Sequence, residues 1–137
     1  MANALFVCLH NAGRSQISQA LFESAAGGRH QARSAGTTPG ERIHPEVLEA
    51  MDELGIDLRD RVPKRLTAED AEWADVVVTM GCGDECPYVP RRRYLDWDLP
   101  DPKGQSLEAV RATREEIAAR VEALLAELDV SAGLTPS

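Results

Sequence analysis

Apolar residues along this chain fall alternately into short continuous runs and into stripes at helical spacing. Ala4-Leu-Phe-Val-Cys-Leu9 is a run short enough for a buried strand, and it leads directly into a polar, glycine-containing loop. A helix follows from about Arg14, with Ile17, Ala20, Leu21 and Ser24 on one stripe, and Gly27-Gly28 stops it. His30 to Ala35 reads as a weaker strand closed by Gly36. Pro45 suits the first position of a second helix whose apolar face is Val47, Leu48, Met51 and Leu54, with Gly55 as its stop. Thr67-Ala-Glu-Asp70 has the form of a capping box before a short helix. Asp75 to Met80 is the clearest strand, and Arg92 to Leu95 is a fourth. The last helix carries Leu107, Val110, Ile117, Val121, Leu124 and Leu128 on one face.

Alternation of strands with helices predicts an α/β fold, with a parallel sheet between helical layers. Ligands of such sheets bind outside the carboxyl ends of the strands. Two predicted strands end in cysteine-bearing loops, at Cys8 and at Cys82. No repeat or linker interrupts the pattern, so residues 1–130 are expected to form a single domain, with a loose tail over 131–137.

The chain has 137 residues, of which 43% are hydrophobic and 28% charged, enough for one core without covalent staples. Its net charge of −8 argues against nucleic acid or an anionic membrane as partner. The same charge poses a problem for any anionic substrate, which must be attracted locally against the global field. No run approaches the roughly 18 apolar residues of a membrane helix, and the N-terminus lacks a charged region followed by a long apolar stretch. A cytoplasmic location is therefore expected. There, the three cysteines point to reactive or metal-binding roles rather than to a static disulfide framework.

Cys8-Leu-His-Asn-Ala-Gly-Arg-Ser15 places a cysteine at a strand end, then a short loop, then Arg14 and Ser15 at a helix start. A helix N-terminus offers unsatisfied N–H groups and about half a positive charge, which together attract an anion. Arg14 can hold two oxygens of a tetrahedral oxyanion in its planar fork. Gly13 lets the backbone curl so that successive N–H groups converge. The oxyanion-binding set is thus expected to be Leu9, His10, Asn11, Ala12, Gly13, Arg14 and Ser15. The same field favours a thiolate at Cys8, and Ser15 could donate a hydrogen bond to it. A free cysteine alone is often buried and inert; the company of Asn11, Gly13, Arg14 and Ser15 at these spacings is what points to chemistry. His10 is expected to face solvent or shape the loop.

These residues resemble the signature of the low-molecular-weight protein tyrosine phosphatases: a cysteine and an arginine with five residues between them, then serine, after the first strand. Asn11 and Arg14-Ser15-Gln16 resemble the arsenate reductase branch, where the phosphatases usually have proline in place of Gln16. The likeness continues through Ser34-Ala-Gly-Thr37, His44-Pro45, Gly55-Ile-Asp57, Pro63-Lys64, Val76 to Met80 and Asp101-Pro102. It implies a three-layer sandwich around a four-stranded parallel sheet, low-molecular-weight phosphatase-like, acting as a monomer. Phosphate or sulfate could occupy the same loop as arsenate.

Cys82 and Cys86 have three residues between them in Gly81-Cys-Gly-Asp-Glu-Cys-Pro87. A phosphatase needs no further thiols, whereas reduction of As(V) to As(III) takes two electrons, which a dithiol supplies. The resemblance implies a relay in which Cys8 attacks arsenate and Asp101 protonates the departing oxygen. Cys82 then attacks Cys8, Cys86 attacks Cys82, and thioredoxin or another redoxin reduces the final disulfide. Zinc remains an alternative for Cys82 and Cys86, although a structural site needs four ligands, and so does an incidental role. Some members bind potassium through a glutamate of the first helix; the matching residue here is Gln19, so neither metal nor cofactor is expected. Lys103-Gly104 follows the Asp101-Pro102 pair where phosphatases place an aromatic, which suits a small inorganic oxyanion. Trp97 is expected to pack rather than touch substrate, and Arg91-Arg-Arg93 to be a solvated strand edge. Three other readings stay open: a reductase using mycothiol or another small thiol, a tyrosine phosphatase, and a thiol redox or arsenite-binding module without turnover.

Overall fold

The computed structural model describes residues 2–80, 93–102 and 104–131. Within them β1 (Asn3–Cys8), α1 (Arg14–Ala26), β2 (Gln31–Gly36), α2 (Pro45–Asp52), α3 (Ala68–Trp73), β3 (Val76–Met80), β4 (Arg93–Asp96) and α4 (Leu107–Ser131) follow one another. The four strands form one sheet in the order β2-β1-β3-β4, and every adjacent pair is parallel. This is the expected α/β sandwich.

The alternation of side chains along β1 divides the core. Ala4, Phe6 and Cys8 face one way, with Val76, Val78 and Met80 of β3, against the apolar sides of α1, α2 and α4. Leu5, Val7 and Val77 face the other way, into a smaller cluster with Ala74, Leu66 and Trp73 around α3. All of these strand residues are fully buried, as a parallel sheet covered on both faces requires. Trp97 tilts against Phe6, their ring centroids 5.8 Å apart, and is packing as expected.

Local chemistry accounts for the ends of the elements. Gly27 takes the left-handed conformation (φ 56°) and donates its N–H to the Glu23 carbonyl, closing α1. Thr67 and Asp70 make the anticipated reciprocal capping box. Two expectations fail: on α1 Ser24 is exposed and Phe22 is buried in its stead, and on α2 Leu54 does not continue the buried face and is 47% exposed. The helix ends at Asp52, and Leu54 sits in the turn that Gly55 completes at φ 75°. Val47, Ala50 and Met51 bury the helix without it. On α4 the expected Val110, Ile117, Val121, Leu124 and Leu128 are buried, with Leu125 beside them. Arg93 is ion-paired with Glu127 rather than merely solvated, while Arg91 and Arg92 lie outside the described residues. Of the expected tail, Ser131 ends α4 and residues 132–137 lie outside the description.

Candidate active site

β1 and β3 run side by side to their carboxyl ends, with Cys8 opposite Met80. The chain leaves β1 at Cys8, curls through residues 9–13 and enters α1 at Arg14. Asn11 holds a positive φ of 51° at the bend, a conformation that asparagine tolerates better than most residues.

The orientation of the peptide groups in this loop follows from where its carbonyls go. Those of Cys8, Leu9, His10 and Ala12 accept the N–H groups of Thr37, Thr38, Gly40 and His44, at 3.3, 2.8, 2.9 and 3.0 Å. In a trans peptide the next N–H points the opposite way from the carbonyl. The N–H groups of Leu9, His10, Asn11 and Gly13 therefore turn inward, away from the 37–44 segment. That of Asn11 points at the Cys8 sulfur, 3.3 Å away. The first N–H groups of α1, left without helical partners, open on the same cup. The result is a ring of donors around a sulfur, suited to an anion with several oxygens.

A chain of hydrogen bonds holds a hydroxyl beside that sulfur. The backbone N–H of Lys64 donates to Oδ1 of Asn11 at 3.0 Å, which settles the orientation of the Asn11 amide. Its other end, Nδ2, donates to Ser15 Oγ at 2.7 Å. The Ser15 hydroxyl lies 2.9 Å from Cys8 Sγ and is the donor of that bond whenever Cys8 is a thiolate, which has no proton to give. Gln16 Nε2 adds a second donor to Asn11 Oδ1 at 3.0 Å, while Gln16 Oε1 is buried without a partner among the described residues. Cys8, Asn11, Ser15 and Gln16 are all buried, so these bonds act in a medium that strengthens them.

Arg14 is only 6% exposed despite its charge. Nη1 donates to the carbonyl of Leu99 at 3.2 Å, and Nη2 lies 3.7 Å from Asp101 Oδ2. The segment after β4 thus anchors the guanidinium at the loop and brings the Asp101 carboxyl, 42% exposed, to the same place. Gly13 permits this approach, since a Cβ there would lie 2.4 Å from Pro102 Cγ. Gly36 does the same on the other side, where a Cβ would come within 2.9 Å of Asn11 N and Leu9 O. His10 Nδ1 bonds the Thr38 carbonyl at 3.0 Å and so helps shape the loop.

Leu9 to Ser15, Cys8 and Asp101 are therefore together. Cys82 and Cys86 lie outside the described residues. Sequence reasoning missed the parts played by Gln16, Gly36, the Lys64 amide and the Leu99 carbonyl. Of these, Gln16, Gly36 and Lys64 left a signal, each within a stretch of the likeness (Arg14-Ser15-Gln16, Ser34-Ala-Gly-Thr37 and Pro63-Lys64), and Leu99 left none.

Residues 3–132 match the family model described as low molecular weight phosphotyrosine protein phosphatase. A putative arsenate reductase of Halobacterium salinarum is 39% identical over 129 residues, covering 90% of this chain and 91% of that protein. A glutaredoxin arsenate reductase of Synechocystis is 34% identical over 131 residues, covering 93% and 99%. Among solved structures, a thioredoxin-dependent arsenate reductase of Corynebacterium glutamicum superposes with a TM-score of 0.81 at 42% identity. That match covers 96% of this chain and 63% of the Corynebacterium one, so this chain spans less than two thirds of it.

Proposed function

This chain belongs to the low-molecular-weight phosphotyrosine protein phosphatase family, and from that premise we propose that it reduces arsenate to arsenite with Cys8 as nucleophile. The observation that carries the reading is the Cys8 sulfur itself, 3.3 Å from the Asn11 N–H and 2.9 Å from the Ser15 hydroxyl, in a loop whose carbonyls turn to the 37–44 segment. Its relatives named as arsenate reductases, of H. salinarum and Synechocystis, support the substrate.

In the proposed reaction, arsenate sits in the cup with its oxygens on the loop N–H groups and the Arg14 guanidinium. The Cys8 thiolate attacks arsenic, a sulfur–arsenic bond forms, and one oxygen leaves as water with a proton from Asp101. The thiolate of Cys82 then attacks the Cys8 sulfur. The sulfur–arsenic bond breaks, its electron pair stays on arsenic, and arsenite departs as As(III). Cys86 attacks Cys82, transferring the disulfide to Cys82–Cys86 and releasing Cys8 as thiolate. A redoxin of the thioredoxin or glutaredoxin kind reduces that disulfide and so closes the electron balance. Such a relay needs a reducing compartment, which favours the cytoplasm, and a single protomer supplies all three thiols.

NADPH oxidation in the presence of arsenate, thioredoxin and thioredoxin reductase tests the reading, run beside a phosphatase assay. Arsenate-dependent oxidation is expected, with its loss in both Cys8→Ser and Cys86→Ser. Turnover that survives Cys86→Ser with a small thiol as reductant would replace the relay by direct thiol attack on the adduct. Fast phosphate release without arsenate reduction would make the protein a phosphatase.

A further inference from the structure

Among the described residues, every arginine and lysine but three faces a carboxylate within ion-pair distance. The three without such a partner are Arg42, Lys64 and Arg65, and all are exposed. They are not scattered. Lys64 donates its backbone N–H to Asn11 in the loop and accepts the N–H of Gly36. Arg65 bridges Gly36 and reaches the Thr37 carbonyl with its guanidinium at 3.4 Å. Arg42 belongs to the segment whose Gly40 and His44 hold the loop carbonyls, and it lines a groove with His10, Thr38 and His44. One carboxylate, Glu41, lines that groove too.

Among the described residues of a protein of net charge −8, the cations elsewhere are thus paired, while around the anion loop all but Arg14 are not. We propose that Arg42, Lys64 and Arg65 form a rim that steers the arsenate oxyanion into the loop, an assignment that rests on the function given above. Their exposed heads are not needed to hold the anion, which the buried N–H groups and Arg14 do. The backbone bonds just described tie the segments that carry the rim to the loop, and exposed charges act over about one Debye length, roughly 8–10 Å. At that range unpaired charges raise the local concentration of an anion and its rate of association, whereas paired charges largely cancel. The contribution acts before binding, so it belongs to kcat/KM for arsenate and not to kcat.

The test is the combined substitution of Arg42→Glu, Lys64→Glu and Arg65→Glu, with the three →Gln changes as a milder set; both leave the Lys64 backbone amide in place. At about 10 mM ionic strength the reversal is expected to lower kcat/KM for arsenate roughly tenfold, and at about 0.5 M less than twofold. Alkylation of Cys8 by iodoacetate and by iodoacetamide, in a Cys82→Ser/Cys86→Ser background, reads the same potential without turnover. Both reagents need the thiolate, so their rate ratio isolates attraction of the anionic reagent. That ratio is expected to fall about threefold at low salt, more weakly with the glutamines. An unchanged ratio sinks the proposal. So does a fall in kcat/KM for the protein reductant with none for arsenate, which would make the rim a docking surface. Should the wild type fail to reduce arsenate at all, the function is wrong, and the alkylation ratio still decides whether the rim steers anions to Cys8.

Discussion

Gly13 and Pro102 touch so closely that no side chain could stand between them, since a Cβ on Gly13 would lie 2.4 Å from Pro102 Cγ. Pro102 follows Asp101, whose carboxylate lies 3.7 Å from Arg14. The contact therefore sets how near the proposed acid comes to the anion loop. Gly13→Ala is expected to push the 101–102 segment outward and to lower kcat by about 10²-fold, the cost of misplacing a reacting group by an ångström. The loss should not add to that of Asp101→Asn, itself expected at about 10²–10⁴-fold. Steady-state rates of the two single variants and the double variant check this; fully additive losses would separate the contact from the acid.

Asn11 joins more of the site than any other side chain described. It accepts from the Lys64 amide and from Gln16, donates to Ser15, and sends its own N–H to Cys8. Asn11→Ala leaves the part-buried bond of the Lys64 amide without its acceptor and keeps a non-glycine residue at φ 51°. A stability loss of about 2–4 kcal/mol is expected in urea unfolding. Asn11→Asp keeps the shape and the oxygen that accepts from Lys64 and Gln16 but cannot donate to Ser15, so it should retain more stability while slowing Cys8 alkylation. Equal alkylation rates in wild type and Asn11→Asp would show that Ser15 does not need this orientation.

Gln16 is expected to behave differently, because only half of its amide is satisfied. Nε2 bonds Asn11 and Oε1 is buried without a partner among the described residues. Replacing it with methionine of similar length removes one donor to Asn11 but also relieves a buried unpaired acceptor, which costs about 1–3 kcal/mol. Gln16→Met should therefore be nearly neutral in thermal unfolding, within about 1 kcal/mol. A loss as large as that of Asn11→Ala would mean that the Gln16–Asn11 bond outweighs the orphaned oxygen.

What the sequence revealed and what it withheld divide along the distance over which the information acts. The strand of Ala4 to Cys8 and the helix after Arg14 are short-range patterns, and the loop between them is a contiguous motif; all were legible. The capping box at Thr67 and Asp70 was legible for the same reason. The supports of the loop were not, because each spans a long stretch of chain: Lys64 to Asn11 crosses 53 residues, and Arg14 to the Leu99 carbonyl crosses 85. These bonds use backbone groups, which carry no residue signature. Leu54 misled because it fits helical spacing beyond the point where the chain has already turned. Cys82 and Cys86 lie outside the described residues, so their part in the site still rests on the motif.

Away from the loop, Glu53 ties α2 to α4 and makes stability depend on acidity. Bonds from Arg111, and then from Arg114, hold its carboxyl down to about 2, against 4.5 for an ordinary glutamate. A carboxylate with a lowered value stabilises the fold fully above the unfolded value and loses that contribution as pH falls through the folded one. Wild type should therefore melt above Glu53→Gln at pH 7, and the gap should narrow steadily from about pH 4.5 towards pH 2. Asp129, lowered by Arg29 and then by His30, works in the same direction at the other end of α4. A Glu53→Gln/Asp129→Asn double variant should thus show a flatter acid limb than either single one. Melting temperatures from pH 7 to pH 3 in steps of half a unit measure the effect. A gap between wild type and Glu53→Gln that stayed constant over that range would mean the two arginines hold the glutamine as well as they hold the carboxylate, and that charge is not what joins these helices.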